Sequence, residues 1–255
     1  MYVDSALTGK VTSVNGPIVK AVGLRGIKMF DIAEVGPDRL IGEVIRLIED
    51  ITVIQVYEDN TGLKPGDEVI SFCRPLSVLL GPGLIANIYD GIQRPLVGIS
   101  EACGSYIKKG IKLPPLDTGK KWAFKPLIKA GAQVNQGDVL GETQEGPLVI
   151  HRIMVPPGVS GKLTGIVSQG EYTIEDEIYS VTRDAGTYAG KLAEYWPVRK
   201  PRPSRNKKKP FIPLITGQRV IDTFFPIARG GTAVIPGGFG TGKTITQQAL
   251  SKWCN

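Results

Sequence analysis

The sequence has few of the residues that make metal sites and disulfide frameworks. His151 is the only histidine among 255 residues, which excludes a histidine cluster for zinc and favours a structural role for that side chain. Cys73, Cys103 and Cys254 are odd in number and far apart, so they form neither a disulfide framework nor a close-spaced metal site. This cysteine usage is typical of a protein from a reducing cytosol.

Long apolar runs are also missing. No run approaches the roughly 18 residues that are needed to span a bilayer. Residues 1–5 lack the basic region and the apolar core of a secretory signal. If this protein works at a membrane, we expect another component to hold it there.

Outside one stretch, the chain has no excess of positive or negative charge. The net charge is +7, but residues 199–209 contain seven Lys or Arg and no acid, and the remaining chain carries 24 residues of each sign. We interpret this basic run as a solvated linker between domains, with a phosphate- or nucleic-acid-binding patch as the alternative. Because no aromatic residues interleave with the run, nucleic-acid binding is the weaker interpretation.

Short β-strands dominate the pattern that is present. Residues 1–75 contain β-branched or alternating runs separated by turn residues, which predict a small barrel or sandwich. The predicted strands are Lys10–Val14, Glu43–Ile48, Thr52–Tyr57 and Glu68–Phe72. Residues 76–109 follow as a connecting segment, in which the helical spacing of Leu84, Ile85 and Ile88 predicts a short helix over 81–91.

Residues 110–193 return to short strands. The spacing G-x-x-V-x-x-G-D-x-L from Gly131, followed by V-P-P-G-V-S-G from Val155, resembles the barrel-sandwich of lipoyl and biotinyl carrier domains. No lysine stands on an exposed turn in the manner of a carrier lysine, so a structural β domain is favoured. The predicted strands are 125–129, 139–140, 148–150, 153–155, 162–167 and 177–181.

A phosphate-binding loop stands near the end of the chain. Residues 237–244 match the pattern G-x-x-x-x-G-K-S/T at every fixed position. The pattern predicts a buried strand over Thr232–Ile235 and a helix from Thr244 onward with an apolar face. We therefore assign residues 194–255 to the start of a nucleotide-binding α/β domain. The predicted nucleotide-binding residues are Gly237, Gly238, Phe239, Gly240, Thr241, Gly242, Lys243 and Thr244.

Each residue type in this loop has a physical reason. Glycines let the backbone turn tightly and aim its N–H groups at an anion, and the positive end of the helix dipole adds to that field. Lys243 can reach the β- and γ-phosphates as the catalytic cation, and the Thr244 hydroxyl can bind Mg²⁺. The loop therefore predicts ATP or ADP and Mg²⁺ as cofactors.

Phosphoryl transfer also needs an acid near the Mg²⁺ and a group that positions water. The sequence stops at Asn255, eleven residues after Thr244, before any such group. We expect the sequence to be the front portion of a larger enzyme, without turnover of its own.

Several segments together resemble one family. Residues 196–199, 215–226 and 230–236 with the loop, and upstream 54–58, 80–85 and 89–96, look like the catalytic A subunit of V/A-type rotary ATPases. The B subunit of that complex lacks the loop lysine, whereas Lys243 is present here. The F-type β subunit lacks the β-rich insertion that here occupies about 110–193, which this family calls the bulge or non-homologous region.

This resemblance implies a fold and a function. It implies a β-barrel and a β-rich bulge, followed by the start of a RecA-like α/β domain. It further implies an alternating ring with B subunits, central and peripheral stalk subunits, and ATP hydrolysis or synthesis coupled to H⁺ or Na⁺ transport. The protein would lie on the cytoplasmic face of the membrane and touch it only through the ion-translocating sector, with no nucleic acid. The family's catalytic glutamate, Mg²⁺-binding aspartate and adenine pocket would lie beyond residue 255.

Two loop positions depart from the family pattern. Gly238 replaces a usual proline, which removes about 0.4–1 kcal/mol of preorganisation. Thr241 replaces the cysteine of eukaryotic relatives, which excludes thiol control there and favours a prokaryotic source. Two alternatives stay open: a non-catalytic assembly or interaction module of the ring, and a P-loop nucleic-acid-binding protein related to hexameric helicases.

Overall fold

A computed structural model describes residues 6–85, 87–184, 186–202 and 209–254. The chain divides into two compact units, with the boundary between residues 203 and 204. The first unit holds nearly all the β structure, and the second holds the phosphate-binding loop. No helix among the described residues is long and apolar enough to cross a bilayer.

The first unit begins with a closed barrel of six antiparallel strands. Its order is β1-β2-β5-β4-β3-β6, and pairing between β1 and β6 closes it, so that it has no free edge. All four strands predicted in this region are confirmed, and the structure adds β2 and β3. The strands are β1 (Leu7–Asn15), β2 (Ile18–Val22), β3 (Asp31–Val35), β4 (Leu40–Ile48), β5 (Ile51–Val56) and β6 (Glu68–Pro75).

The alternation of buried and exposed side chains suits these strands to a barrel. Every second side chain along these strands points inward and is almost completely buried, while its neighbours face solvent. Small and β-branched residues fill the narrow interior. The buried core contains Val11, Val19, Ala21, Val35, Leu40, Val44, Ile54 and Val69.

The connecting segment contains strand β7 (Ser77–Leu80) and helix α1 (Leu96–Cys103). The helix predicted over 81–91 is wrong, because the described residues there form turns. The Glu145 carboxylate accepts hydrogen bonds from the N–H groups of Gly83 and Ile85, at 2.8 and 2.9 Å. The apolar spacing that suggested a helix leaves Ile88 65% exposed, so a helix here would have no buried apolar face to stabilise it.

A β-rich domain of two four-stranded sheets follows. The sheet orders are β11-β10-β8-β13 and β15-β14-β12-β9. Most of the strands predicted here overlap these, but β8 lies earlier than the predicted run 125–129. The strands are β8 (Trp122–Pro126), β9 (Gln133–Val134), β10 (Val139–Gln144), β11 (Ile150–Met154), β12 (Gly161–Ile166), β13 (Gly170–Tyr172), β14 (Glu177–Arg183) and β15 (Gly186–Lys191).

The two sheets share one apolar core. Phe124 is completely buried at its centre, with its ring edge-on to Tyr172 at a centroid distance of 6.2 Å. Strand β16 (Glu194–Pro197) then pairs with β7 and returns the chain to the connecting segment. The core also contains Val134, Leu140, Leu163, Ile174, Ile178 and Val181.

The second unit contains helices α2 (Arg219–Phe224) and α3 (Lys243–Trp253). Helix α3 confirms the helix predicted after the loop. The strand predicted over Thr232–Ile235 is wrong, because residues 232–235 form no strand and Val234 is 82% exposed. A central strand needs neighbours to hydrogen-bond with, and residues 209–254 contain only an isolated bridge between Pro213 and Ala228.

Candidate phosphate-binding loop

The loop precedes helix α3 and takes its shape from left-handed glycines. Gly240 and Gly242 have φ values of 79° and 78°, and Gly242 is the N-cap residue of α3. Residues with a Cβ atom are strained at such positive φ values, so these two positions favour glycine. The loop leads directly into the first turn of α3, and the N–H groups of a first helical turn stabilise an anion.

Lys243 is the first residue of α3, and its side chain reaches back across the loop. Its Nζ donates a hydrogen bond to the Gly237 carbonyl at 2.5 Å and a second one to the Gly238 carbonyl. The Thr241 hydroxyl also donates to the Gly238 carbonyl, at 2.9 Å. The ammonium group therefore lies against the backbone at the start of the loop.

Two threonines in the first turn of α3 differ in their bonding. Thr246 donates its hydroxyl to the Gly242 carbonyl at 3.0 Å and so steadies the helix start. Thr244 is exposed, and within the described residues its hydroxyl has no protein partner. The Thr244 hydroxyl is therefore available to a ligand, whereas the Thr246 hydroxyl already donates to a backbone carbonyl. Phe239 at the loop tip is fully exposed.

Within the second unit, few side chains could complete a magnesium site beside the loop. Asp222 is the only Asp or Glu between residues 204 and 255. Its carboxylate accepts hydrogen bonds from the N–H and hydroxyl of Thr216, at 2.9 and 2.7 Å, and from the Gly217 N–H at 3.0 Å. These bonds, those of Thr216 first, lower the pKa of Asp222. They tie that carboxylate to the turn before α2.

The remaining candidates from the sequence lie elsewhere. His151 is on β11, where burial lowers its pKa, and the three cysteines are free thiols. Among the described residues, no group of three or more His, Cys, Asp or Glu is placed to hold a metal ion. Within the basic run, residues 203–208 lie outside the described residues. Arg199 and Arg202 are described and pair with carboxylates, which sequence reasoning did not foresee.

Two family models match the first unit. The β-barrel domain of the ATP synthase alpha/beta family matches residues 11–72. The barrel-sandwich domain of the ATP synthase alpha/beta chains matches residues 113–199. The two matches coincide with the closed barrel and with the paired sheets, so they agree with the architecture that the structure gives.

Individual relatives match nearly the whole chain. The chain is 51% identical over 253 residues to the A subunit of the A-type ATP synthase from Methanopyrus kandleri, covering 99% of this chain and 43% of the relative. It is 52% identical over 248 residues to the corresponding A subunit from Hyperthermus butylicus, covering 96% and 41%. It is 50% identical over 246 residues to a V-type ATP synthase alpha chain from Halothermothrix orenii, covering 96% and 42%. The chain thus spans about two fifths of the length of these relatives.

Proposed function

Because this chain belongs to the ATP synthase alpha/beta family, we propose that it acts as the nucleotide-binding catalytic A subunit of a V/A-type rotary ATPase. The observation that carries the proposal is the folded loop 237–244, in which Lys243 lies at the start of α3 and faces the loop carbonyls. The names of the relatives describe ATP synthases, and similarity to them extends over the loop. Coupling of ATP synthesis or hydrolysis to H⁺ or Na⁺ transport is part of the proposal.

In this proposal, nucleotide binding uses the loop backbone and the first residues of α3. The N–H groups before α3 and the Lys243 ammonium would stabilise the phosphate charge. The Gly237 and Gly238 carbonyls that now accept from Lys243 would share that cation with the phosphate. The Thr244 hydroxyl, which has no described protein acceptor, would be a Mg²⁺ ligand. Bound Mg²⁺ would neutralise charge on the β- and γ-phosphate oxygens.

Turnover is not expected from this chain alone. Asp222 is the only carboxylate side chain of the second unit, and it is bonded to Thr216 and Gly217. Without a further carboxylate to orient water, the loop can hold a nucleotide but cannot hydrolyse it at a useful rate. We also expect weak affinity, since neither α2 nor α3 has a buried residue that could line a closed pocket for a base.

The assembly is proposed from the family. The chain would alternate with B subunits in a ring, contact central and peripheral stalk subunits, and reach the membrane only indirectly, on its cytoplasmic face. Nucleic acid is not proposed, because Arg199 and Arg202 of the basic run already pair with Glu43 and Glu194. We keep the divisions 1–75, 76–109, 110–193 and 194–255 as proposed domains, although the first compact unit includes 194–202.

Nuclear magnetic resonance of the chain tests the location of the site. Titration with MgADP should shift the amide signals of residues 237–246 and leave the barrel unchanged. Shifts centred on residues 199–209 would instead support the polyanion patch. A parallel phosphate-release assay with MgATP should show no steady turnover. Clear turnover that disappears in Lys243→Ala would overturn the expectation of inactivity while supporting the site.

A further inference from the structure

The basic run begins with an arginine that is bound by the barrel. Arg199 makes two hydrogen bonds with the Glu43 carboxylate: Nε to Oε1 at 3.1 Å and Nη2 to Oε2 at 2.6 Å. The Glu43 side chain is only 5% exposed and lies on β4, 156 residues earlier in the chain. Bidentate pairs of this kind have a defined geometry as well as strength, so the pair fixes the position of residue 199.

Two aromatic side chains, Tyr57 and Phe30, also contact this pair. We call Glu43, Tyr57 and Phe30 together the socket of Arg199. The Tyr57 hydroxyl donates to Glu43 Oε2 at 3.1 Å, and the Arg199 guanidinium lies 4.4 Å from the centre of the Phe30 ring. Phe30 is itself held by a hydrogen bond from its N–H to the Val44 carbonyl, at 2.9 Å. A planar guanidinium can pair and stack in this way at the same time, and a lysine ammonium cannot.

A second arginine makes its contacts within the same segment. Arg202 Nη1 lies 2.6 Å from Glu194 Oε1, and its guanidinium lies 4.1 Å from the ring of Trp196. The Trp196 ring is almost completely buried, and its Nε1 donates to the Lys200 carbonyl at 2.6 Å. In addition, the Val198 N–H donates to the Leu76 carbonyl at 3.0 Å. Residues 194–202 are thus anchored along their whole length.

We infer that residues 194–202 are a strap that fixes where the chain leaves the first unit, with Arg199 as the positioning residue that ties it to the barrel. The second unit begins at residue 204, shortly after the strap ends. The strap goes beyond the proposed ATP-binding role and does not depend on it.

Residue-level hydrogen exchange of the whole chain tests the strap. In Arg199→Gln, the amides of Val198 and Lys200 should exchange roughly ten- to hundredfold faster, because hydrogen bonds to a charged group are lost locally. Amides of β4 and β14 should keep their protection. Arg199→Lys should fall between the two, since it keeps the charge but loses the bidentate geometry. Arg46→Gln, an exposed arginine on the same β4 strand, is the matched control and should change nothing.

Two outcomes would overturn the inference. One is unchanged exchange at Val198 and Lys200 in Arg199→Gln. The other is equal acceleration throughout the barrel, which would make Arg199 a general stabiliser. If Arg199→Gln does not fold, Tyr57→Phe and Glu43→Gln provide the test, because each weakens the same socket with a smaller change in shape. Faster exchange at Val198 and Lys200 in these variants would support the strap, and unchanged exchange in both would contradict it.

Discussion

At the scale of single residues, close contacts explain positions that no motif marks. Gly190 lies on β15 directly against the buried Tyr179 ring, and a Cβ atom built there would lie 2.0 Å from Tyr179 Cζ. Burial also raises the Tyr179 pKa well above its usual range, so this ring stays neutral in the folded protein. The contact therefore leaves room only for glycine.

Gly190→Ala should lower the free energy of unfolding by about 1–3 kcal/mol, because the ring or the strand must move to admit a methyl group. Chemical denaturation of the first unit measures this. Gly146→Ala is the control, since nothing lies within 4 Å of a Cβ atom at that site. Equal stability of the two variants would contradict the close packing.

Asp59 gives a prediction about pH at the same scale. Hydrogen bonds from the Thr61 hydroxyl and N–H, at 2.6 and 3.0 Å, and then Lys109 lower the pKa of Asp59 to about 2, from 3.8. Because the folded pKa is depressed, the stabilisation is fully present above pH 3.8 and is lost as the pH falls through about 2.

Carboxyl titration by nuclear magnetic resonance should therefore find an Asp59 midpoint near 2. Thr61→Ala should move that midpoint upward by more than Lys109→Met does, because the hydrogen bond from the Thr61 hydroxyl is the largest single cause. A larger effect of Lys109→Met would mean that charge, and not hydrogen bonding, controls this carboxylate.

At the scale of elements, a buried ion network fastens the connecting segment to the barrel. Arg94 lies 2.9 Å from the Glu58 carboxylate and 2.7 Å from that of Asp90, and the three side chains are 11%, 8% and 17% exposed. Glu58 also accepts a hydrogen bond from the Gly110 N–H at 3.1 Å. The middle of the connecting segment and the residue that follows its end are thus held by one carboxylate–guanidinium cluster.

Arg94→Met should destabilise the first unit by about 3–5 kcal/mol, since it leaves two largely buried carboxylates without their cation. Arg25→Met is the control: its pair with Asp50 is 3.5 Å long, with side chains 86% and 72% exposed. That control should change stability by less than about 1 kcal/mol. Thermal and denaturant unfolding compare the two, and similar losses would contradict the importance of burial.

Local pattern predicted some elements and not others, for physical reasons. The four predicted barrel strands follow alternation that the barrel interior imposes, but in β3 the polar Asp31 takes a buried position, so that the apolar residues do not alternate strictly. The helix expected at 81–91 is replaced by turns that Glu145 holds from 60 or more residues away. Hydrogen bonds between residues this far apart in the chain leave no periodic signal in the sequence.

The candidate site likewise contains parts that local sequence predicts and parts that it does not. The loop and the start of α3 follow from local glycine and lysine spacing, and the structure places them as the pattern predicts. The strand expected before the loop depends on neighbouring strands, and residues 209–254 provide none. The Glu43–Arg199 pair joins residues 156 apart and could not be found by spacing alone.

At the scale of the whole molecule, the two units differ in how much they bury. The first unit has two apolar cores, whereas neither α2 nor α3 has a buried residue. Ile245 and Trp253, on the apolar face of α3, are 72% and 70% exposed. Helix α3 thus has little tertiary support, which is a physical reason to expect weak nucleotide binding by the loop in this chain.

The central claim is that Lys243 in the loop holds the phosphates of a nucleotide, and calorimetric titration with MgATP tests it most directly. The chain should bind weakly, and Lys243→Ala should reduce the affinity at least about tenfold, because it removes a cation from the phosphates. Lys252→Ala removes a cation from the last turn of the same helix and should leave binding unchanged. Equal loss in both variants, or unchanged binding by Lys243→Ala, would contradict the assignment of this loop.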